Sequence, residues 1–316
     1  MKCHSSTIIC CLFLSLSAQG CITLTGPDSA NTIQAAPSAA PSPGSMRVRG
    51  RDGMSMVYVA AGDFDMGSDY LEAAFGRKLC RQYIGGSAAA ACYPDNFRDE
   101  APPHHVTLNG FWIDRTEVTN GQYQRCDQAG ACRPPAEIRS HYRPFYYGNA
   151  EFADYPVILV TRDQAIAYCS WAGARLPTES EWEYAARGPE SWIFPWGDSF
   201  DGTRVNYCDV NCDAGPSDPK MDDGYADTAP VGTFPSGASW VNALDMAGNV
   251  REWVADWYGT YPADQQINPT GPASGESVIP RGGSWIDNPS LVRSANRGGN
   301  TPDYYRDYYG FRCVMD

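Results

Sequence analysis

The 316 residues carry a formal net charge of -13 with a charged fraction of only 19%, and no dense Lys/Arg run interrupts that acidity. Phosphate backbones need a basic face, so a nucleic-acid partner is excluded and divalent cations suit the surface better. Richness in Gly (31), Pro (24), Tyr (19) and Trp (9) predicts a loop-rich chain with few long helices, and the length suits one large domain with a buried core.

Lys2, an apolar run from Ile8 to Leu16, and then Ser17-Ala18-Gln19-Gly20-Cys21 give residues 1–20 the layout of a bacterial export signal. That run is too short to span a membrane as a helix. A cysteine directly after a small residue resembles a bacterial lipoprotein cleavage site, with Ala18 where Leu is usual. The resemblance implies lipidation of Cys21 and an exported protein at the outer membrane or cell surface, touching the membrane through its lipid anchor only; with Cys21 unmodified the protein would be secreted. Cys80, Cys92, Cys126, Cys132, Cys169, Cys208, Cys212 and Cys313 then remain, and eight cysteines in an exported protein imply disulfides.

Residues 21–50 are Ala/Pro/Ser-rich, as in Ala35-Ala36-Pro37-Ser38-Ala39-Ala40-Pro41, and are expected to form a disordered tether. The domain is expected over residues 51–316. Its β-formers from Met56 to Gly67 predict a strand and turn, and Val106–Ile113 a second strand. Thr161 with Gln164, and Thr178 with Glu181, have capping-box spacing ahead of helices that end at Gly173 and Gly188. Beyond Gly188 turn residues dominate, and no further long helix is expected.

There is no internal repeat, Walker loop or dinucleotide glycine fingerprint. The four histidines, His4, His104, His105 and His141, include no pair at helical metal-binding spacing. His104 and His105 are adjacent and would face opposite sides of a strand, so structural roles are expected rather than zinc.

An ordered set of motifs follows: Gly62-Asp63-Phe64-Asp65-Met66-Gly67, Phe111 to Asn120, Arg175-Leu176-Pro177-Thr178-Glu179, Pro195-Trp196-Gly197-Asp198, Asp245 to Trp253, Arg281-Gly282-Gly283-Ser284-Trp285 and Gly310-Phe311-Arg312-Cys313. The succession resembles the formylglycine-generating (sulfatase-modifying factor) enzymes. That resemblance implies an α+β fold, a loop-rich variant of the C-type lectin fold with few helices and short antiparallel sheets.

The family oxidises a sulfatase cysteine with O2 and copper held by two cysteines after the Arg-Gly-Gly-Ser motif, and Asp287 and Val292 fall at those places here. Copper(I) selects soft thiolates, so no copper is expected, and the chain reads as a pseudoenzyme. A sulfoxide-forming branch uses non-haem iron on histidines, usually beside a separate helical domain; with neither that domain nor a three-histidine set, this chain is not expected to follow it. Arg251 stands where the family usually has Trp.

The resemblance also implies a Cys169–Cys313 disulfide. It leaves Cys80 with Cys92, Cys126 with Cys132 and Cys208 with Cys212 as local staples, metal binding by Cys208 and Cys212 being the rival reading. It further implies structural calcium on Asn206, Tyr207, Asp223 and Tyr225, and on Asp245, Gly248, Val250 and Glu252, several of them through carbonyls. The alternative reading makes Asp222, Asp223 and Asp227 a solvated acidic loop and Glu252 a cap on the Asn249 turn.

Residues 286–309 are rich in Tyr, Asn, Ser and Gly, the composition of adaptable binding loops. The segment also resembles the diversified C-terminus of variable proteins from diversity-generating retroelements: Asp287, Ser290, Gly298, Gly299, Thr301, Tyr304, Tyr305, Asp307, Tyr308 and Tyr309 are all reachable by adenine mutagenesis of an Asn codon. Ordinary members of the family are polar here too. The leading expectation is a non-catalytic domain that binds an extracellular or envelope protein, peptide or glycan through Arg251, Trp253, Ser284, Trp285, Asp287, Asn288, Arg293, Asn296, Asn300, Tyr304, Tyr305, Asp307 and Tyr308. A diverged oxidase or other enzyme with a rearranged site, and a passive envelope scaffold, are the alternatives.

Overall fold

The computed structural model describes residues 40–84, 92, 97–215 and 217–316. The expected export signal, Cys21 and the tether up to residue 39 lie outside the described residues. The fold begins earlier than residue 51, because Met46–Val48 form a strand, β1, inside the stretch expected to be tether. β1 pairs antiparallel with β2 (Ser55–Val59), setting Met46 against Val57.

The expected strand and turn from Met56 resolves into β2 and β3 (Gly62–Met66). The expected strand from Val106 is in fact two: β4 (His104–Leu108) and β5 (Phe111–Asp114). Asn109 and Gly110 break it, and a Cβ on Gly110 would stand 2.2 Å from the Tyr58 hydroxyl, so a larger residue there would have to displace the Tyr58 side chain.

Three small sheets result. β1, β2, β5 and β10 (Val314–Met315) form one, β3, β4 and β7 (Gln266–Ile267) the second, and β8 (Val278–Arg281), β6 (Arg251–Trp257) and β9 (Tyr309–Gly310) the third. The sheets are short as expected, but the β4–β7 and β6–β9 pairings are parallel rather than antiparallel.

The two expected helices are present as α3 (Arg162–Trp171) and α4 (Glu179–Arg187), each with a complete capping box, on Thr161–Gln164 and Thr178–Glu181. Two more were not anticipated. α1 (Tyr70–Ile84) starts where Asp69 accepts the Glu72 N–H at 2.8 Å, and α2 (Asn120–Gln128) has a capping box on Thr119 and Gln122.

Two large apolar clusters make up most of the core. One joins α2, α3, Trp253 and Phe311; the other joins the inner faces of β2 to β5 to Trp182 of α4. Buried ion pairs thread between them. Arg187 holds Glu72 and Glu183, Arg281 holds Glu183, and Arg312 holds Glu252 at 2.6 Å. All four expected disulfides are formed: Cys80–Cys92, Cys126–Cys132, Cys169–Cys313 and Cys208–Cys212. The last excludes a thiolate metal site at Cys208 and Cys212.

Candidate functional site

The parallel pairing of β6 with β9 sets Arg251 beside Tyr309 and delivers the C-terminal loop to the β6 edge. There Arg251 reaches Asp287 at 2.8 Å, and Ser284 donates its hydroxyl to the other Asp287 oxygen at 2.8 Å. Side-chain exposures of 13% and 10% make this a nearly buried ion pair. Burial opposes the charge on Arg251, and Asp287, with Tyr309 and Tyr308, more than offsets it, so the guanidinium is held above its ordinary range.

An aromatic layer lies over this pair. Trp285 is buried, donates its indole N–H to the Asp307 carbonyl at 3.1 Å, and is faced by the His141 ring at 5.4 Å. The His141 nitrogens approach Asp307 at 3.5 Å and Asp213 at 3.7 Å. Tyr304 and Tyr308 approach each other hydroxyl to hydroxyl at 3.5 Å, and Arg306 covers the Tyr304 ring. Burial, with Tyr304 adjacent, pushes the Tyr308 phenol above its usual range. A cavity of about 330 Å³ opens here, lined by Glu137, Arg139, His141, Tyr305 and Asp307 among others. His141, to which the sequence assigns no role, therefore belongs to this face, a placement that no local sequence signal announces.

Several residues expected to contact ligand are instead internal. Trp253 is fully buried and donates to the Val160 carbonyl. Arg293 is fully buried against Glu100 at 2.6 Å, with Asn296 donating to the same carboxylate. Asn288 turns inward to accept from Ser290, and Ser284 and Trp285 are buried in the frame. Asn300 donates to the Tyr309 hydroxyl and bridges to Val278. Tyr305, Asp307, Tyr304, Tyr308 and the edge of Arg251 are left to form the accessible part.

The two expected calcium sets differ in what occupies their oxygens. In the first, Asn206 Oδ1 and Asp223 Oδ2 are buried without a partner. Burial, with Asp209 nearby, pushes Asp223 up to about 7. Tyr225 donates its N–H to Asp223, and the Tyr207 hydroxyl donates to Asp218. In the second, both Glu252 oxygens are engaged by Arg312, one of them also by Trp182, and Asp245 accepts from Gly232. Gly248 adopts φ +74, and Val250 is buried. The orphaned oxygen there belongs to Glu117, which was not expected; burial and the neighbouring Asp245 and Glu252 drive its carboxyl well above the usual range.

Residues 43–316 match the sulfatase-modifying factor enzyme 1-like domain. The chain belongs to this family. It is 39% identical over 270 residues to the formylglycine-generating enzyme of Thermomonospora curvata, covering 71% of this chain and 88% of that protein. The mouse enzyme is 31% identical over 258 residues, 69% of each chain. Bovine inactive C-alpha-formylglycine-generating enzyme 2 is 30% identical over 303 residues, 83% of this chain and 88% of that one. Among solved structures, PvdO from Pseudomonas aeruginosa superposes with a TM-score of 0.66 at 27% identity, over 88% of this chain and all (100%) of its own. Treponema denticola variable protein 1 shares the fold, with a TM-score of 0.61 at 22% identity over 86% and 98% of the two chains.

Sulfatase-modifying factor proteins bind calcium and copper. The orphaned oxygens of Asn206, Asp223 and Glu117 are hard donors of the kind Ca²⁺ takes. Among the described residues no free thiolate is left for copper(I): the eight described cysteines are all paired, Asp287 is engaged by Arg251 and Ser284, and Val292 is buried among apolar neighbours. The four disulfides point to an oxidising, exported compartment, and among the described residues no helix is long and apolar enough to cross a membrane.

Proposed function

We propose that this domain is a pseudoenzyme of its family that binds a protein, peptide or glycan through the face formed by Tyr304, Tyr305, Asp307, Tyr308 and His141. The observation that carries the reading is the closed Arg251, Asp287 and Ser284 network beneath that face. By resemblance, Asp287 and Val292 take the places of the copper-binding cysteines and Arg251 that of a tryptophan. These departures give one internally neutralised pair, with neither a thiolate nor an open coordination position.

Above that frame the tyrosines offer broad, rigid contact area at low entropic cost, and Asp307 with His141 supplies polar contacts. The four disulfides and an anchor at Cys21 suit a display role at the cell envelope. Calcium on the Asn206 and Asp223 set would clip the loop between the Cys208–Cys212 staple and β6.

The test has two arms. Copper-loaded protein incubated with a sulfatase-derived cysteine peptide should yield no carbonyl product. Peptides selected from a random display library, or glycans from an array, should bind the native domain and lose that binding in the Tyr304→Ala/Tyr308→Ala variant. A carbonyl product refutes the pseudoenzyme reading, and undiminished binding by the double variant refutes the site.

A further inference from the structure

A second cavity, of about 430 Å³, opens beside the start of α4 and has no part in the face described above. Asp256, near the end of β6, lines it and is only 4% exposed. One of its oxygens accepts the Glu179 N–H at 2.8 Å. Among the described residues no donor reaches the other oxygen, and no Lys, Arg or His forms an ion pair with the carboxylate. Glu100, Glu183, Glu252 and Asp287 are comparably buried and each has a guanidinium, whereas Glu117 and Asp245, like Asp256, form no ion pair among the described residues.

The cations around Asp256 are engaged elsewhere. Arg297 grips the Glu179 carboxylate with bonds of 2.7 and 2.8 Å. Arg162, the cation that acts on Asp256 from α3, donates to the carbonyls of Val254 and Ala255. His104, on β4, lies against the Tyr261 ring and the Pro102 carbonyl. Glu181 is paired with Arg175. Burial, with Glu179 and Glu181 near, pushes Asp256 up to about 7. The opposing loop packs closely against it: at Gly271, φ +66, a Cβ would stand 2.8 Å from Asp256 Oδ1. The remaining walls combine ring faces and proline edges, from Trp257, Tyr261, Pro262, Pro269 and Pro272, with polar side chains such as Gln266, Asn268 and Thr270.

A buried carboxylate that lacks a counter-charge is costly, and a cation that fits the cavity removes the cost. Ring faces and proline edges suit the methylene stem of such a cation and attract its charge. We infer that the Asp256 cavity binds a protonated primary amine on an aliphatic stem, carried by a free alkylamine or by a lysine side chain of a partner.

Titration of the full domain with Nα-acetyl-lysine N-methylamide and with cadaverine, followed by calorimetry or saturation-transfer NMR, tests this. The domain should bind at least one of them and ignore Nε-acetylated lysine amide, which has the same stem without the charge. Preference for the lysine amide identifies a side-chain site, and preference for cadaverine a small-molecule site. Asp256→Asn should weaken binding about tenfold or more. Thr270→Lys, at the exposed rim, should abolish binding by supplying an ammonium in cis, and it decides the matter if the Asn variant does not fold. Binding of neither amine, equal binding of the acetylated control, or unchanged binding by the variants overturns the assignment.

Discussion

The Arg251–Asp287 pair makes a quantitative demand. Both side chains are nearly buried, 13% and 10% exposed, and their contact is 2.8 Å. Removing one partner of such a pair strands the other charge in a low-dielectric site, which costs about 3–5 kcal/mol, whereas replacing both with apolar groups of similar size is often close to neutral. Arg251→Leu and Asp287→Leu should therefore each destabilise strongly. The Asp287 variant also frees the Ser284 hydroxyl. The double variant should recover most of the loss, giving a coupling energy of about 5 kcal/mol or more in magnitude. At about 2–4 °C per kcal/mol for a domain of this size, each single variant should melt roughly 6–20 °C below the native protein, and the double variant should lie close to it. Thermal and denaturant unfolding of the four proteins measures the cycle. Additive single effects, or single variants that unfold like the native domain, would refute the view that these two residues act as one closed unit.

Calcium saturating a site on the Asn206 and Asp223 set should raise stability by about 2.7 kcal/mol at a hundredfold excess over its dissociation constant. Chelation should reverse the gain and Asp223→Asn should remove it, so an equal calcium response in that variant would exclude the set. Cys169 and Cys313 close a loop of 144 residues, and replacing both with Ser should cost about 5 kcal/mol in the chain-entropy treatment. A melting temperature unchanged under non-reducing conditions would show that the fold does not depend on this tie.

How much of this was legible depended on how local the cause was. The Thr161–Gln164 and Thr178–Glu181 boxes are three-residue signals, and both helices begin where those signals place them. The box on Thr119 and Gln122 is just as local but overlaps the end of the Phe111 to Asn120 motif, which reads only as family resemblance, so α2 went unrecognised. α1 has an Asp69 cap, yet its inward face rests on Arg187 and Arg293 as much as on apolar residues, and a hydrophobic stripe is the wrong thing to look for. The four disulfides were readable because three close short spans and the fourth follows from family resemblance. His141 and Glu117 were not readable: each acquires its role from partners more than a hundred residues away in sequence, Trp285 and Asp307 for one and Asn249 for the other.

The same distinction divides the C-terminal segment, which reads uniformly as polar binding loop. Residues 281–297 are frame: Arg281, Arg293 and Arg297 neutralise Glu183, Glu100 and Glu179, acids drawn from α4 and from the segment before β4. Their polarity serves buried pairing, which a hydropathy pattern cannot tell from exposure. Only from Gly298 onward does the chain surface, and Trp285 and Asn300 pin that arc by bonds to Asp307 and Tyr309. Of the positions reachable from Asn codons, Asp287, Ser290 and Tyr309 are buried and bonded, whereas Gly299, Thr301 and Tyr305 are exposed. Any sequence variation compatible with this fold must therefore concentrate in 299–308. Substituting Asp287 or Ser290 should unfold the frame before it alters recognition, whereas Tyr305 can change the ligand at little cost to stability.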